Sequence, residues 1–298
     1  MLFSRDAASG SLFRISAGEY ARLIREGTIV TEHNFKHIEF ERRGPVALIR
    51  LNRPASMNAF TGQMGEEWSA AYSECDRDDD IQAVVVTGNG RAFCAGADMS
   101  AAENTFASSD VGDFSTCPVK PAWEVRKPVI AALNGHAIGL GLSLALQCDF
   151  RIVARDAKYG LLQVRRGVPA DACMHWLLPR LAGQAVATEM LLLGRRYNGE
   201  QLYAKGLATA VEDHDAVLDV ALALAQELAL DCAPLVVGMS KQLLWDSAAM
   251  SLAELEAKET QWLQHCMGQP DALEGGRAYA ERRSPQWQGS VAKDWPEE

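Results

Sequence analysis

Apolar residues fall into short unbroken runs in the first two-thirds of the chain and into helical spacing in the last third. Ala83 to Thr87 (AVVVT), Pro128 to Leu133 and Phe150 to Ala154 are continuous runs of strand length, which is how strands buried on both faces read. Phe35 to Glu41 and Val46 to Leu51 are also strand-like; a turn at Arg43-Gly44-Pro45 joins them, and Asn52-Arg53-Pro54 ends the second. Thr61 stands where a helix would be capped, with Met64, Trp68 and Ala71 on one face up to about Cys75, and Asp76 to Asp80 reads as its solvated end. The pattern is densest over residues 128 to 154. Asn134-Gly135 breaks the first run, a loop carrying Gly139 and Gly141 follows, Ser143 to Cys148 reads as an apolar helix, and the next strand begins at Phe150. A strand–helix–strand unit of this kind favours parallel strands with right-handed closure.

Further on, a helix is predicted to start at Asp171 (ADACMHWLLPRL), a second runs from about Gln184 to Leu193, and residues 199 to 211 read as helix, glycine turn and short strand. From Ala216 the chain is almost all helical, with starts marked by Pro234, Ser251 and Pro270 and ends by Gly268 and Gly289. Residues 100 to 118 are small and polar and predict a mobile loop. The chain therefore divides into an N-terminal extension (1–33), an α/β body (34–215) and a helical C-terminal region (216–298). In the extension, Ser16 and Glu19 form a possible capping box for a short helix over Tyr20, Leu23 and Ile24. The tail is too elongated to pack fully on its own body, so it predicts contacts between subunits.

Composition narrows the function classes. At 298 residues and 48% hydrophobic, the chain can bury a large core. A net charge of −10 argues against a nucleic-acid footprint, and any anionic ligand would need a local basic patch. The seven cysteines are scattered singly with no CxxC pair, which fits reduced thiols in a cytoplasmic protein and no thiolate metal site. No stretch has the length of a membrane span.

The candidate chemistry lies at two glycine-bearing turns. Ala95-Gly96-Ala97 follows AVVVT, and Gly139-Leu140-Gly141 follows VIAAL. If the strands are adjacent and parallel, the turns meet at their C-terminal ends, where ligands bind in open α/β sheets. Glycine lets a backbone approach closely with N–H groups aimed at a ligand. Paired donors there could hold a thioester oxygen as it becomes an enolate, and losing one such donor typically costs on the order of 3 kcal/mol. The alternative is two ordinary turns. Two other signals are weaker. Gly139-x-Gly141 suggests a dinucleotide turn, but Leu144 stands where the third glycine belongs. Gly141-Leu-Ser143-Leu-Ala145 suggests a nucleophile elbow, with Asp171 and His175 or His214 to follow, yet the serine comes after a glycine loop rather than at a strand–helix corner.

Three long phrases give a sharper reading: NRP…MNA (Asn52 to Ala59), VVVTGNGRAFCAGADM (Val84 to Met99) and KPVIAALNGHAIGLGLSLALQCD (Lys127 to Asp149). With the tail DALEGGRAYAERRSPQW (Asp271 to Trp287), they resemble the enoyl-CoA hydratase/isomerase, or crotonase, family over roughly residues 34 to 288. The resemblance implies a spiral of ββα units, a helical C-terminal region that builds a homotrimer or a hexamer, and acyl-CoA thioesters as substrates. Coenzyme A enters as part of the substrate; no metal or further cofactor is implied. By position, Ala97 and Leu140 would supply the two oxyanion N–H groups. Leu140 replaces the glycine usual in the family and can still donate if its φ is not positive. Ala95, Asp98 and Met99 would line the coenzyme A channel, and Arg282 with Arg283 would sit on the basic C-terminal helix that reaches a coenzyme A phosphate.

The departures from the family pattern bear on mechanism. The two glutamates that hydratases of the family use would stand at Ser143 and Gln163, and neither of these is a carboxylate. One replacement is visible. A branch of the family that moves double bonds between the 3 and 2 positions carries a glutamate eight positions before a Pro-basic pair, and Asp171 stands at that spacing from Pro179-Arg180. The competing reading of Asp171 is a helix N-cap. Single-base chemistry through Asp171, such as 3-enoyl- to 2-enoyl-CoA isomerisation, is therefore expected. The alternatives are a nominal hydratase and a member that binds CoA esters without turnover. His136 and His175 are secondary candidates, and Arg165-Arg166 could meet a phosphate or a carboxylated acyl group.

Overall fold

The computed structural model describes residues 28–29, 34–100 and 119–296. The expected capping box at Ser16 and the loop at 101–118 lie outside them. Strands β1 (Thr28–Ile29), β2 (Ile38–Arg43), β3 (Val46–Leu51), β4 (Ala83–Gly88), β6 (Val129–Leu133), β8 (Phe150–Ala154) and β10 (Ala210–Glu212) form one sheet in the order β1-β2-β3-β4-β6-β8-β10. Strands β5 (Ala92–Cys94), β7 (His136–Ile138) and β9 (Tyr159–Gly160) form a second, smaller sheet. The first three strands of the large sheet are antiparallel; from β3 onward every pairing is parallel. All pairings in the small sheet are parallel.

Each turn of the chain thus lays one long strand in the large sheet and one short strand in the small one, then crosses over. This is a spiral of ββα units. The apolar runs explain the large sheet: β4 and β6 are buried at every position because neighbours cover both faces. The short strands β5, β7 and β9 are two or three residues long, below the length at which alternation can be read. That is why residues 135 to 139 read as loop, although His136–Ile138 is a strand.

Among the described residues the α-helices are α1 (Gly62–Arg77), α2 (Leu140–Leu146), α3 (Met174–Leu193), α4 (Gly199–Ala204), α5 (Val217–Asp231), α6 (Pro234–Asp246), α7 (Leu252–Cys266) and α8 (Pro270–Glu281). Thr61 caps α1, its hydroxyl accepting from Met64 N–H at 3.2 Å, and buries Met64, Trp68, Ala71 and Cys75 against the sheet. Ser251 and Glu254 form a reciprocal capping box on α7, and Pro234 and Pro270 open α6 and α8 as expected.

Three boundaries differ from the sequence reading. The helix expected at Ser143 begins at Leu140, one turn earlier, directly on the glycine corner. The helix expected at Asp171 begins at Met174, after Ala172 and Cys173 in left-handed backbone (φ 53° and 61°). Gly183 (φ 79°, ψ 162°) breaks α3 near its middle, which recovers the two expected helices as two halves of one element. Finally, α8 ends at Glu281 on a left-handed Arg282, well before Gly289.

Candidate active site

The two glycine corners do meet: β4 and β6 are parallel neighbours as expected, and the small sheet carries the corners themselves. Gly96 follows β5 and Gly139 follows β7, and these strands are hydrogen-bonded neighbours. The contact depends on missing side chains. A Cβ on Gly96 (φ +94°) would lie 2.8 Å from Ile138 O and 3.9 Å from Gly139 Cα. A Cβ on Gly141 would lie 2.4 Å from Cys94 O and 2.7 Å from Cys94 Cβ. Such separations are not available to real side chains, so glycine at 141 is what lets the first turn of α2 rest on β5.

Both expected donors sit on these corners. Phe60 N–H donates to Gly96 O at 2.8 Å and Asp98 N–H donates to Phe60 O at 2.9 Å, so the intervening Ala97 N–H faces away from that ladder. Leu140 is the first residue of α2, and its φ is not positive. Its N–H is one of the donors that a helix N-terminus leaves unpaired. Among the described residues neither the Ala97 nor the Leu140 N–H has an acceptor. Both residues line a common cavity of about 90 Å³ with Ala95, Gly96, Met99, Ile138, Gly139, Leu162, Gln163, Arg166, Val168, Pro169 and Asp171.

Asp171 stands on the wall of this cavity, between the 3₁₀ turn Gln163–Arg166 and α3. It is not the helix cap that its type suggested: the N-cap position of α3 is Cys173, and no side chain caps it. Instead Asp171 Oδ1 accepts from Gln163 Nε2 at 3.1 Å and lies 3.3 Å from Ser143 Oγ. The Ser143 hydroxyl has a single proton and is also 3.2 Å from Gly139 O, so it serves one acceptor at a time. Burial raises the Asp171 carboxyl above its ordinary range, and the bonds from Gln163 and Ser143 offset part of that rise. Gln163 is itself buried, and its Oε1 has no partner among the described residues. Ser143, Gln163 and Asp171 are thus one contact group, in which Gln163 and Asp171 line the cavity and Ser143 stands behind Asp171.

The other sequence candidates have different surroundings. Asp98 is not among the cavity-lining residues. Ser100 N–H and the Arg53 guanidinium, 2.8 Å away, hold its carboxylate below the usual range and tie the 95–99 turn to the segment after β3. Arg53 also donates to Ala59 O, a bracing role that its place in the NRP phrase did not reveal. His136 Nδ1 accepts from Lys158 N–H at 3.0 Å, and burial lowers its pKa, which describes a structural histidine on β7. His175 is exposed on α3. No histidine is among the partners of Ser143 in the described residues, so the nucleophile-elbow pattern assembles no triad. Arg282 caps α8, outside the cavity lining. The thiols of Cys94 and Cys148 are buried and pushed up to about 12, so they are inert packing groups. No group of three or more His, Cys, Asp or Glu side chains among the described residues could hold a metal ion. Ile138, Leu162, Val168 and Pro169, unremarked in the sequence, complete the apolar wall.

A two-sheet spiral with two unspent amides on neighbouring corners, over a cavity with one half-buried carboxyl, defines an enzyme of the crotonase fold. Comparisons with known proteins agree. The sequence profile of the enoyl-CoA hydratase/isomerase family matches residues 41–290. Carnitinyl-CoA dehydratase of Citrobacter koseri is 32% identical over 258 residues, covering 85% of this chain and 98% of that protein. A probable enoyl-CoA hydratase of Mycobacterium bovis is 35% identical over 254 residues, covering 85% and 98%. The crystal structure of a probable enoyl-CoA hydratase/isomerase from Mycobacterium abscessus superposes with a TM-score of 0.82 at 44% identity, covering 85% of this chain and 99% of that one. The chain belongs to the enoyl-CoA hydratase/isomerase family, whose members bind acyl-CoA thioesters.

Proposed function

We propose that this protein isomerises 3-enoyl-CoA to 2-enoyl-CoA thioesters with Asp171 as its one acid–base group. The observation that carries this reading is the placement of Asp171 Oδ1 against Gln163 Nε2 and Ser143 Oγ, on the wall of the cavity that Ala97 and Leu140 line. The thioester oxygen accepts hydrogen bonds from the Ala97 and Leu140 N–H groups. Ionised Asp171 removes a proton from C2, the electron pair spreads over C2, C4 and the thioester oxygen, and Asp171 returns the same proton to C4. Nothing is gained or lost overall. Ala95 and Met99 flank the entry of the pantetheine arm, and Arg282 meets a coenzyme A phosphate once subunits assemble. The assembly in this reading is a homotrimer or a hexamer, and the location is the cytoplasm, a setting suited to six unpaired cysteines among the described residues.

A hydratase reading has its own support. Relatives bear hydratase and dehydratase names, and the buried, unpartnered Gln163 Oε1 could accept a hydrogen bond from a water. The two chemistries give different products from one incubation. Purified protein with 3-hexenoyl-CoA is expected to yield the 2-enoyl ester, and with 2-hexenoyl-CoA to yield little 3-hydroxyacyl ester. Asp171→Asn is expected to lower turnover by roughly 10² to 10⁴, the usual worth of general acid–base catalysis, while still binding the ester. Rapid formation of a 3-hydroxyacyl ester replaces isomerisation with hydration; binding without conversion makes the protein a CoA-ester binder; full activity in Asp171→Asn removes the aspartate from the mechanism.

A further inference from the structure

Beside the catalytic cavity lies a second concavity, of about 500 Å³, lined by Leu162, Arg165, Arg166, Gly194, Arg195 and Arg196. Leu162 and Arg166 belong to both walls. In a chain of net charge −10, four arginines around one hollow are a local reversal of sign. The backbone that gathers them is fixed. Gly194 (φ +52°) leaves no room for a Cβ, which would lie 2.9 Å from Val164 Cγ1 and 3.2 Å from Arg165 Cγ. Tyr159 and Tyr197 exchange backbone hydrogen bonds of 2.9 and 2.8 Å, pinning the 194–197 segment to β9. Arg165 Nε donates to Leu193 O at 2.8 Å, closing the two arginine pairs on each other. Arg195 approaches Glu189 at 3.7 Å, a carboxylate already held by Lys205 at 2.7 Å. Among the described residues, Arg165, Arg166 and Arg196 have no carboxylate partner.

The geometry of the reaction sets which part of a ligand reaches this hollow. With the thioester oxygen between Ala97 and Leu140, and C2 to C4 at Asp171, the rest of the shared wall open to an acyl chain includes Gln163, Leu162 and Arg166. Because Leu162 and Arg166 line both hollows, a chain that continued past C4 along that wall would enter the arginine hollow. Guanidinium groups match carboxylates through paired, charge-assisted hydrogen bonds. We propose that the acyl group carries a carboxylate at its far end, and that Arg166 and Arg196 select for it. This rests on the acyl-CoA reading above and narrows it to dicarboxylic acyl chains.

The test compares two saturated esters of equal length, adipoyl-CoA and hexanoyl-CoA, with free coenzyme A as the reference for phosphate contacts. Dissociation constants are measured by titration calorimetry for the wild-type enzyme and for Arg166→Gln/Arg196→Gln, with thermal melts to verify folding. Wild type is expected to bind adipoyl-CoA about tenfold or more tightly than hexanoyl-CoA, and the double variant is expected to bring that ratio near one. A wild-type ratio near one overturns the proposal. So does a double variant that weakens both esters and free coenzyme A alike, because the arginines then serve coenzyme A phosphates. Failure of both esters to bind wild type at all overturns the acyl-CoA reading itself. If the double variant unfolds, Arg196→Lys keeps the charge but loses the paired geometry, and a ratio unmoved by it counts against the proposal.

Discussion

At Asp171 the competing influences can be ordered. Burial disfavours the charged carboxylate, and the hydrogen bonds from Gln163 and Ser143 favour it; burial wins, so the pKa is raised. Two results follow. In its proposed role as the base, Asp171 must be ionised, so kcat/KM is expected to fall on acidification through a pKa above the ordinary aspartate value of about 3.9. The effect on stability has the opposite sense. A folded-state pKa above the unfolded one stabilises the fold below the unfolded value, and that contribution is lost as pH rises through the folded value. Asp171→Asn, which cannot ionise, is therefore expected to melt above wild type at pH 7, with the difference shrinking as the pH is lowered toward 4. A difference equal at both pH values, or of reversed sign at pH 7, means the carboxyl is not strained by burial. Its spacing to Pro179-Arg180 singles this residue out in the sequence, and the structure places it on the cavity wall. Its surroundings are not legible from that spacing. A half-buried aspartate whose partners lie 8 and 28 positions away looks, in sequence, like a helix cap.

On the scale of elements, the geometry of the glycine corners depends on how closely α2 approaches β5. Gly141→Ala sets a Cβ against Cys94 O and Cys94 Cβ, backbone and stem atoms that have nowhere to go. The helix must lift, and the Leu140 N–H lifts with it. Overpacking of this kind typically costs about 1–3 kcal/mol of stability. A shift near 1 Å in a positioned group can cost about 10² in rate. We expect the Gly141→Ala enzyme to remain folded by circular dichroism, to melt lower, and to lose kcat far more than ester affinity; unchanged kcat means the α2 start does not supply an oxyanion donor. The long apolar strands, the capped helix α1 and the proline and serine starts of α6, α7 and α8 could all be read from pattern, because each is a local preference repeated over many residues. The small sheet could not. Ala92–Cys94, His136–Ile138 and Tyr159–Gly160 are too short to carry a period, and they exist because their neighbours supply the hydrogen bonds. The glycine corners were found from residue type, and β4 and β6 are parallel neighbours as expected; β5 and β7, which pair in the same order, carry the corners themselves.

For the whole molecule, the helical C-terminal region leaves large apolar side chains in solvent. Leu252, Leu263, Met267, Leu273 and Tyr279 on α7, α8 and the turn between them are 60–84% exposed. Apolar surface of that kind on a single subunit marks a contact surface. Light scattering after size exclusion is expected to give three or six times the mass of one chain, and Leu273→Asp with Tyr279→Asp to shift it toward one; a wild-type monomer removes the subunit interface from the account. The sequence carried this much in the surplus of helix over body, while the partner's position is a property of the assembly and not of one chain. The proposed reaction rests on two amides and one oxygen. The most direct measurement is the crystal structure of the Asp171→Asn enzyme with bound 3-hexenoyl-CoA, read at the thioester. The expected result is a carbonyl oxygen within about 2.7–3.1 Å of both Ala97 N and Leu140 N, with C2 and C4 beside position 171. A thioester oxygen that touches neither amide, in an otherwise occupied cavity, would contradict it.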